Sequence, residues 1–214
     1  MDKRARVIEI IKIFDVLYSD ADCTLDYKDP LQLLISTQLA AQCTDARVNI
    51  VTQSLYKKYK SVFDFANADL NELEQDIKPT GFYHNKARNI KETCKMLIDK
   101  FKGKVPDNLN DLLTLPGVGR KTANLVLSDI YGIPGIVIDT HAKRLSNRIG
   151  LSKNEDPTKI EFDLMEIVPK ENWSKFCHQL VYHGRAVCQA RKPECAKCGI
   201  LDYCDYGVNQ IRNS

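Results

Sequence analysis

Four cysteines crowd the last quarter of the chain, Cys188, Cys195, Cys198 and Cys204, with gaps of six, two and five residues. Thiolates this close in sequence can converge on one metal centre without help from distant segments. All-sulfur ligation suits zinc or an iron–sulfur cluster. Only one gap is Cys-x-x-Cys, so the pattern is not the doubled one of a zinc ribbon. The wide first gap, Gln189 to Glu194, makes a loop longer than a tight zinc knuckle. Arg191 and Lys192 within it have no evident use in a purely structural site. The run is read as the ligand set of a [4Fe–4S] cluster whose loop turns positive charge outward, with zinc as the competing reading on spacing alone. Disulfides would need an oxidising compartment. Met1 to Asp20 has neither an uninterrupted apolar core nor a small-residue cleavage site, so a cytoplasmic, nucleoid-associated protein without a targeting segment is expected. The other cysteines, Cys23, Cys43, Cys94 and Cys177, are scattered. Cys94 and Cys177 lie among helical apolar residues and should be small core side chains.

A second segment, Leu115-Pro116-Gly117-Val118-Gly119-Arg120-Lys121, suggests a different chemistry. Leu109, Leu112 and Leu113 before it suit a short helix, and Ala123, Val126, Leu127 and Ile130 after it suit another. Two glycines between helices allow a tight hairpin with positive φ. They also expose backbone N–H groups at the second helix's N-terminus, whose partial positive charge can bind a phosphate. Gly117, Gly119 and Arg120 are therefore candidate DNA contacts of a kind that reads no base. An ordinary helical hairpin with a glycine turn is the plainer alternative.

Lys121 stands in the first turn of that second helix, where the helix field disfavours a cation by ~0.3–1 kcal/mol. The same field, with partial burial, favours a free amine able to act as a nucleophile or Schiff-base former. On the residues alone, a lysine paired with DNA phosphate is the stronger reading. Asp139 follows Ile136-Val137-Ile138 and precedes Thr140-His141-Ala142-Lys143-Arg144. Its plain role is N-cap of a helix with Ala142, Leu145 and Ile149 on the inner face. It could also be a carboxylate partnering a free amine. His141 is a polar surface residue or a phosphate contact, since no suitably spaced His or Cys makes it a metal ligand.

The elements that must position these residues read as helices almost throughout. Val7, Ile10, Phe14 and Leu17 mark one face, Asp29-Pro30 starts a second helix, and Val48, Val51 and Leu55 mark a third. Ala87, Ile90, Cys94, Leu97, Ile98 and Phe101 form a long stripe ending before Gly103, and Trp173, Phe176, Cys177, Leu180, Val181 and Gly184 form one more. The only β-like run, Ile136 to Ile138, is taken as a connector. The fold class expected is all-α with short turns. At 214 residues the chain holds one large domain or two small ones, and its 43% hydrophobic share is ample for a core. No stretch of about 18 apolar residues suggests a membrane helix. The formal charge of +3 is mild, but it is unevenly spread. Lys78, Lys86, Arg88 and Lys91 lie between Asp76 and Glu92 without an acid, as do Lys143, Arg144, Arg148 and Lys153 between Asp139 and Glu155. A one-sided positive face is one reading, and solvated helix faces are the other.

Taken together, Ala41-Gln42-Cys43-Thr44-Asp45, Thr80-Gly81-Phe82-Tyr83, Leu115 to Ala123, Ile138 to His141, His183-Gly184-Arg185 and the cysteine run are similar to the endonuclease III family of DNA glycosylases, within the helix–hairpin–helix superfamily. The resemblance extends from about Asp29 to Cys204. It implies Lys121 as nucleophile, Asp139 as catalytic carboxylate and the four cysteines as ligands of [4Fe–4S]. It implies a six-helix domain with the hairpin around residues 23–133 and a cluster domain from residues 1–22 plus 134–214, with DNA across the cleft between them. The implied partner is duplex DNA with damaged pyrimidines or abasic sites, bound by a monomer.

The resemblance also implies a reaction: a bifunctional DNA glycosylase/AP lyase of base excision repair that removes oxidised pyrimidines. The damaged nucleotide leaves the stack, Lys121 attacks C1′ and expels the base, and β-elimination from the Schiff base cuts the strand. Gln42 and Phe82 match the positions that fill the gap left by the flipped base. The family often has a leucine-like residue where Phe82 stands and a serine where Ala40 stands. His141, Arg191 and Lys192 are further DNA-contact candidates. Two alternatives are a monofunctional mismatch glycosylase of the same superfamily and a non-catalytic iron–sulfur DNA-binding module. Lys121 and Asp139 together argue against the non-catalytic module, while a thymine-mismatch glycosylase is the harder one to exclude, although that group tends to lose the lysine.

Overall fold

The computed structural model describes residues 2–212, so residues 1, 213 and 214, at the outer edges of the expected cluster domain, lie outside the described residues. The described residues are helical, with no strand among them. In chain order the α-helices are α1 (Lys3–Leu17), α2 (Pro30–Leu39), α3 (Asp45–Lys58), α4 (Val62–Asn67), α5 (Leu70–Ile77), α6 (Tyr83–Phe101), α7 (Leu109–Leu113), α8 (Arg120–Tyr131), α9 (Thr140–Ile149), α10 (Pro157–Ile167), α11 (Trp173–Ala186) and α12 (Asp205–Arg212). They fall into two compact units, one running from Cys23 to Ile133 and the other combining the chain up to Asp22 with Pro134 onward.

In the unit Cys23–Ile133, α2 forms because Asp29 caps it, accepting from Gln32 N at 2.9 Å, and Pro30 fits its first turn. The helix is buried on nearly every side, with Leu33, Leu34, Ile35 and Leu39 fully covered. It packs against α3, α6 and α8, while α4 and α5 pack on α6. The α6 stripe is inward at Ala87, Ile90, Cys94 and Leu97, and only half-buried at Ile98 and Phe101. That helix stops at Lys102, which is left-handed, followed by Gly103 with φ +77°. The described residues form seven α-helices here instead of six, because α7 is a separate turn of five residues.

In the other unit, α1 packs on α10 and α11, and α9 on α11 and α12. α1 buries Val7, Ile10, Ile11 and Phe14. Leu17, expected on that face, is 50% exposed and is the last residue of the helix. The Phe14 ring lies 6.2 Å from Phe176 and 5.0 Å from His183. Ile136 to Ile138 is a buried connector, and Val137 N donates to Cys177 Sγ at 3.2 Å. The buried thiol thus satisfies a backbone group that a sheet would otherwise have paired.

Candidate active site and cluster pocket

The glycine hairpin joins α7 to α8 through residues 114–119. Leu112, Leu115 and Val118 point into the core and hold the turn down. Its backbone is also pinned from below. Pro116 O accepts from Gln38 Nε2 at 2.7 Å and from Thr93 Oγ1 at 3.0 Å, and both side chains are buried. The two glycines differ. Gly117 has φ +71°, and a Cβ there would lie 2.7 Å from Asn89 Nδ2, so any other residue is strained there. Gly119 is the N-cap of α8 with an ordinary φ of −94°, and nothing lies within 4 Å of a Cβ built on it. It supplies no capping side chain, so the helix start is left open to an external acceptor. Arg120 and Lys121 begin the helix there. Lys121 is exposed, which corrects the expectation of partial burial: it occupies the outer face of the first turn, while Ala123 turns inward.

Gln42 and Phe82 share an uncommon backbone. Their φ values are +55° and +48°, and both are exposed, Phe82 at 63%. A left-handed conformation in a non-glycine residue is held against its own preference by the surrounding structure. Phe82 is also the N-cap of α6 and makes no capping bond. Neither residue is turned inward to pack.

Asp139 caps α9, accepting from Ala142 N at 2.7 Å through Oδ1, and Ala142, Leu145 and Ile149 are buried as the cap predicts. His141 is half-buried against α11. Arg144 Nη2 lies 3.1 Å from its Nδ1 and donates to Gly184 O at 3.0 Å. Gly184 is small for a reason, since a Cβ there would stand 2.7 Å from His141 Nδ1.

Cys188, Cys195, Cys198 and Cys204 line one small pocket, walled by apolar residues including Leu145, Ile149 and Ile200. Burial, reinforced by the other three thiols, pushes Cys198 up to about 11, and burial likewise raises Cys204. Three sulfurs have a donor within reach: Arg148 Nη1 at 3.3 Å from Cys188, His183 Nε2 at 3.4 Å from Cys198, and Gly207 N at 3.4 Å from Cys204. Four cysteine sulfurs in one apolar pocket, three of them with an N–H group within reach, suit a cationic sulfur-bound centre. Among the described residues, no three His, Cys, Asp or Glu side chains converge as they would on a single ion. Arg191 and Lys192 are exposed on the loop between Cys188 and Cys195.

Several residues here were not singled out by pattern. Arg144 donates to Cys188 O, and Arg148 to Gln189 O and Ala190 O, both at 2.8 Å. They belong to a segment read as outward positive charge, and they brace the cysteine loop instead. Lys143 pairs with Glu155 at 2.8 Å, Lys86 is buried, and Lys91 bonds Ala68 O. The acid-free segments are therefore largely used within the fold. Their i, i+4 spacing on α9 was the available signal for Arg144 and Arg148.

Residues 35–170 match the HhH-GPD family, described as a superfamily of base excision DNA repair proteins. That match and the hairpin define the class. The chain is 49% identical over 203 residues to endonuclease III of Synechocystis sp. (strain ATCC 27184 / PCC 6803 / Kazusa), covering 94% of this chain and 93% of that protein. It is 45% identical over 192 residues to endonuclease III of Bacillus subtilis (strain 168), covering 89% and 88%. It superposes with a TM-score of 0.94 and 43% identity on the solved structure of a trapped endonuclease III–DNA covalent intermediate, covering 99% and 100% of the two chains. The chain belongs to the endonuclease III family of the HhH-GPD superfamily. It is a DNA glycosylase with AP lyase activity in base excision repair, and it binds DNA.

Proposed function

We propose that Lys121 is the nucleophile and Asp139 the carboxylate that serves it. The observation that carries this is the placement of Lys121, exposed, in the first turn of a helix whose N-cap is an open glycine. The N–H groups that would hold a DNA phosphate and the amine that would attack the adjoining sugar then sit on one rigid hairpin. The Nζ lone pair bonds to C1′, the C1′–N bond breaks, and its electron pair leaves with the base. Asp139 is the carboxylate assigned to take the displaced Nζ proton. The nitrogen lone pair then breaks the C1′–O4′ bond, O4′ takes the proton held by Asp139, and a protonated Schiff base results. A C2′ proton passes to the departed base anion, its electron pair forms the C2′–C3′ double bond, and the C3′–O bond breaks with the 3′ phosphate as leaving group. A relative trapped as a covalent DNA intermediate supports the same chemistry.

The substrate class is duplex DNA carrying oxidised pyrimidines or abasic sites, acted on by a monomer at the bacterial nucleoid. Gln42 and Phe82 fill the gap left by the extruded nucleotide. Gly117, Gly119, Arg120, His141, Arg191 and Lys192 contact the DNA backbone. Cys188, Cys195, Cys198 and Cys204 hold a [4Fe–4S] cluster. Their shared apolar pocket and all-thiol donor set support this. A bound cluster would offset part of the thiolate charge, and Cys188 and Cys195 would tie down the loop bearing Arg191 and Lys192. Borohydride trapping on DNA with one oxidised pyrimidine tests the catalytic reading, and a covalent adduct that disappears in Lys121→Gln is the expected result. Iron analysis of anaerobically purified protein tests the cluster: about four irons per chain are expected, and stoichiometric zinc would overturn it.

A further inference from the structure

Lys86 has no part in the reaction above and does not reach the surface. It lies in the second turn of α6, 5% exposed, and its ammonium donates to Leu39 O and to Thr80 O, each at 2.8 Å. Burial pulls its pKa below the usual lysine value. A buried cation is costly, and it is tolerated only where its donors are used. The two carbonyls it serves are special. Leu39 closes α2, where helix carbonyls lose their intrahelical partners, and Thr80 closes the 3-10 turn Lys78–Thr80.

Each of those chain exits leads directly to one exposed, left-handed residue. Leu39 is followed through Ala40 and Ala41 by Gln42, with φ +55°. Thr80 is followed through Gly81 by Phe82, with φ +48°. Two turns far apart in sequence thus share one buried fastening beneath the two side chains they present.

We propose that Lys86 is a positioning residue for duplex opening: its ammonium ties the exits of α2 and the 3-10 turn into one body, so that Gln42 and Phe82 enter the DNA as a unit. This rests on the reading of Gln42 and Phe82 as the gap-filling pair. An uncharged apolar side chain would leave both carbonyls without a donor and let the turns move independently. Lysine suits the task because its compact ammonium carries three rotatable donors, enough to serve both carbonyls.

The test uses Lys86→Met, which keeps the stem and removes the donors, and Lys86→Arg, which restores charged donors. Single-turnover excision is measured on a paired oxidised pyrimidine and on the same lesion beside a mismatch that already unstacks it. A 2-aminopurine neighbour reports unstacking. Lys86→Met is expected to slow the paired substrate at least roughly tenfold, about 1.4 kcal/mol, to leave the unstacked one within about twofold, and to blunt the fluorescence rise. Lys86→Arg should recover most of the loss. In the Lys86→Met background, Phe82→Ala should cost less than it does alone, since coupled residues do not add. Equal loss on both substrates, or no loss on the paired one, would overturn the proposal. Should Lys86→Met not fold, Lys86→Gln, which keeps an amide donor, decides by the same ratio between substrates. The two readings separate cleanly. If Gln42→Ala and Phe82→Ala show no paired-specific loss, the gap-filling reading fails. If they show it and Lys86→Met does not, only the clamp fails.

Discussion

His183 stands with Nε2 3.4 Å from the Cys198 sulfur and Nδ1 2.9 Å from the Tyr18 hydroxyl. It therefore links α1 to the cysteine pocket through both ring nitrogens. The ring is 1% exposed and packed against Phe14. Neutral imidazole has one donor and one acceptor nitrogen, which matches one partner on each side. With a thiolate at Cys198, Nε2–H would donate to sulfur and the Tyr18 hydroxyl would donate to Nδ1.

That burial makes stability depend on pH. Desolvation pushes the His183 pKa down to about 4 from 6.5. As pH falls, the unfolded chain takes up a proton near 6.5 that the folded chain refuses until about 4. The contribution is complete above the unfolded value and declines through this window, by up to about 3 kcal/mol at its lower end. Apparent melting temperatures of the wild type and His183→Gln at about pH 7.5 and about pH 5 measure it. The variant should lose less on acidification. An identical loss would assign the acid sensitivity to other groups.

Much of this was legible locally. The cap of Asp29 on Gln32 N and that of Asp139 on Ala142 N follow from residue type and a three-residue reach, and the cores of α6 and α9 follow from helical period. That Cys188, Cys195, Cys198 and Cys204 line one pocket was readable because they are close in sequence. What stayed hidden depends on long-range packing. Gln38 meets Pro116 across 78 residues and Lys86 meets Leu39 across 47, and no period announces either. The acid-free segments revealed that cations were present but not which way they turned, so Arg144, Arg148 and Lys86 were read as surface. The left-handed backbones of Gln42 and Phe82 had no glycine to signal them.

The hairpin glycines should separate folding from binding. Gly117→Ala places a Cβ against Asn89 in a left-handed backbone and should cost about 1–3 kcal/mol of stability. Gly119→Ala meets open space at a permitted φ and should cost under about 1 kcal/mol, the scale of a weaker N-cap. Its Cβ would instead intrude where a phosphate oxygen approaches the helix start. DNA affinity of Gly119→Ala should therefore fall severalfold while its melting temperature holds. Unchanged affinity would remove the α8 N-terminus from the interface.

The cysteine loop makes a similar claim through charge. Arg191 and Lys192 are exposed on it. If each neutralises one phosphate, the double alanine variant should reduce the log–log salt slope of binding by up to about 1.8. The loss should be alike on damaged and undamaged duplexes, because phosphate contacts carry no base information. An unchanged slope in fluorescence anisotropy titrations would place the loop away from DNA.

The sharpest separation concerns Lys121 and Asp139. Glutamine at 121 keeps the length and polarity of an exposed first-turn residue but has no nucleophilic amine. Since Lys121 is exposed, the fold should not notice the change. Lys121→Gln is expected to bind lesion DNA nearly normally while losing base excision and the borohydride-trapped adduct together. Excision at the normal rate without an adduct would instead make water the nucleophile and the enzyme monofunctional. Asp139→Asn isolates charge from architecture. Asparagine caps about as well as aspartate, so the bond from Ala142 N and the buried face of α9 should persist. The proton acceptor is lost, and turnover should drop by about 10²–10⁴-fold, the usual range for removing a general base. Circular dichroism and melting of the variant must match the wild type for that drop to be chemical. If Asp139→Asn melted early yet its folded fraction turned over at full rate, Asp139 would be a helix cap and nothing more.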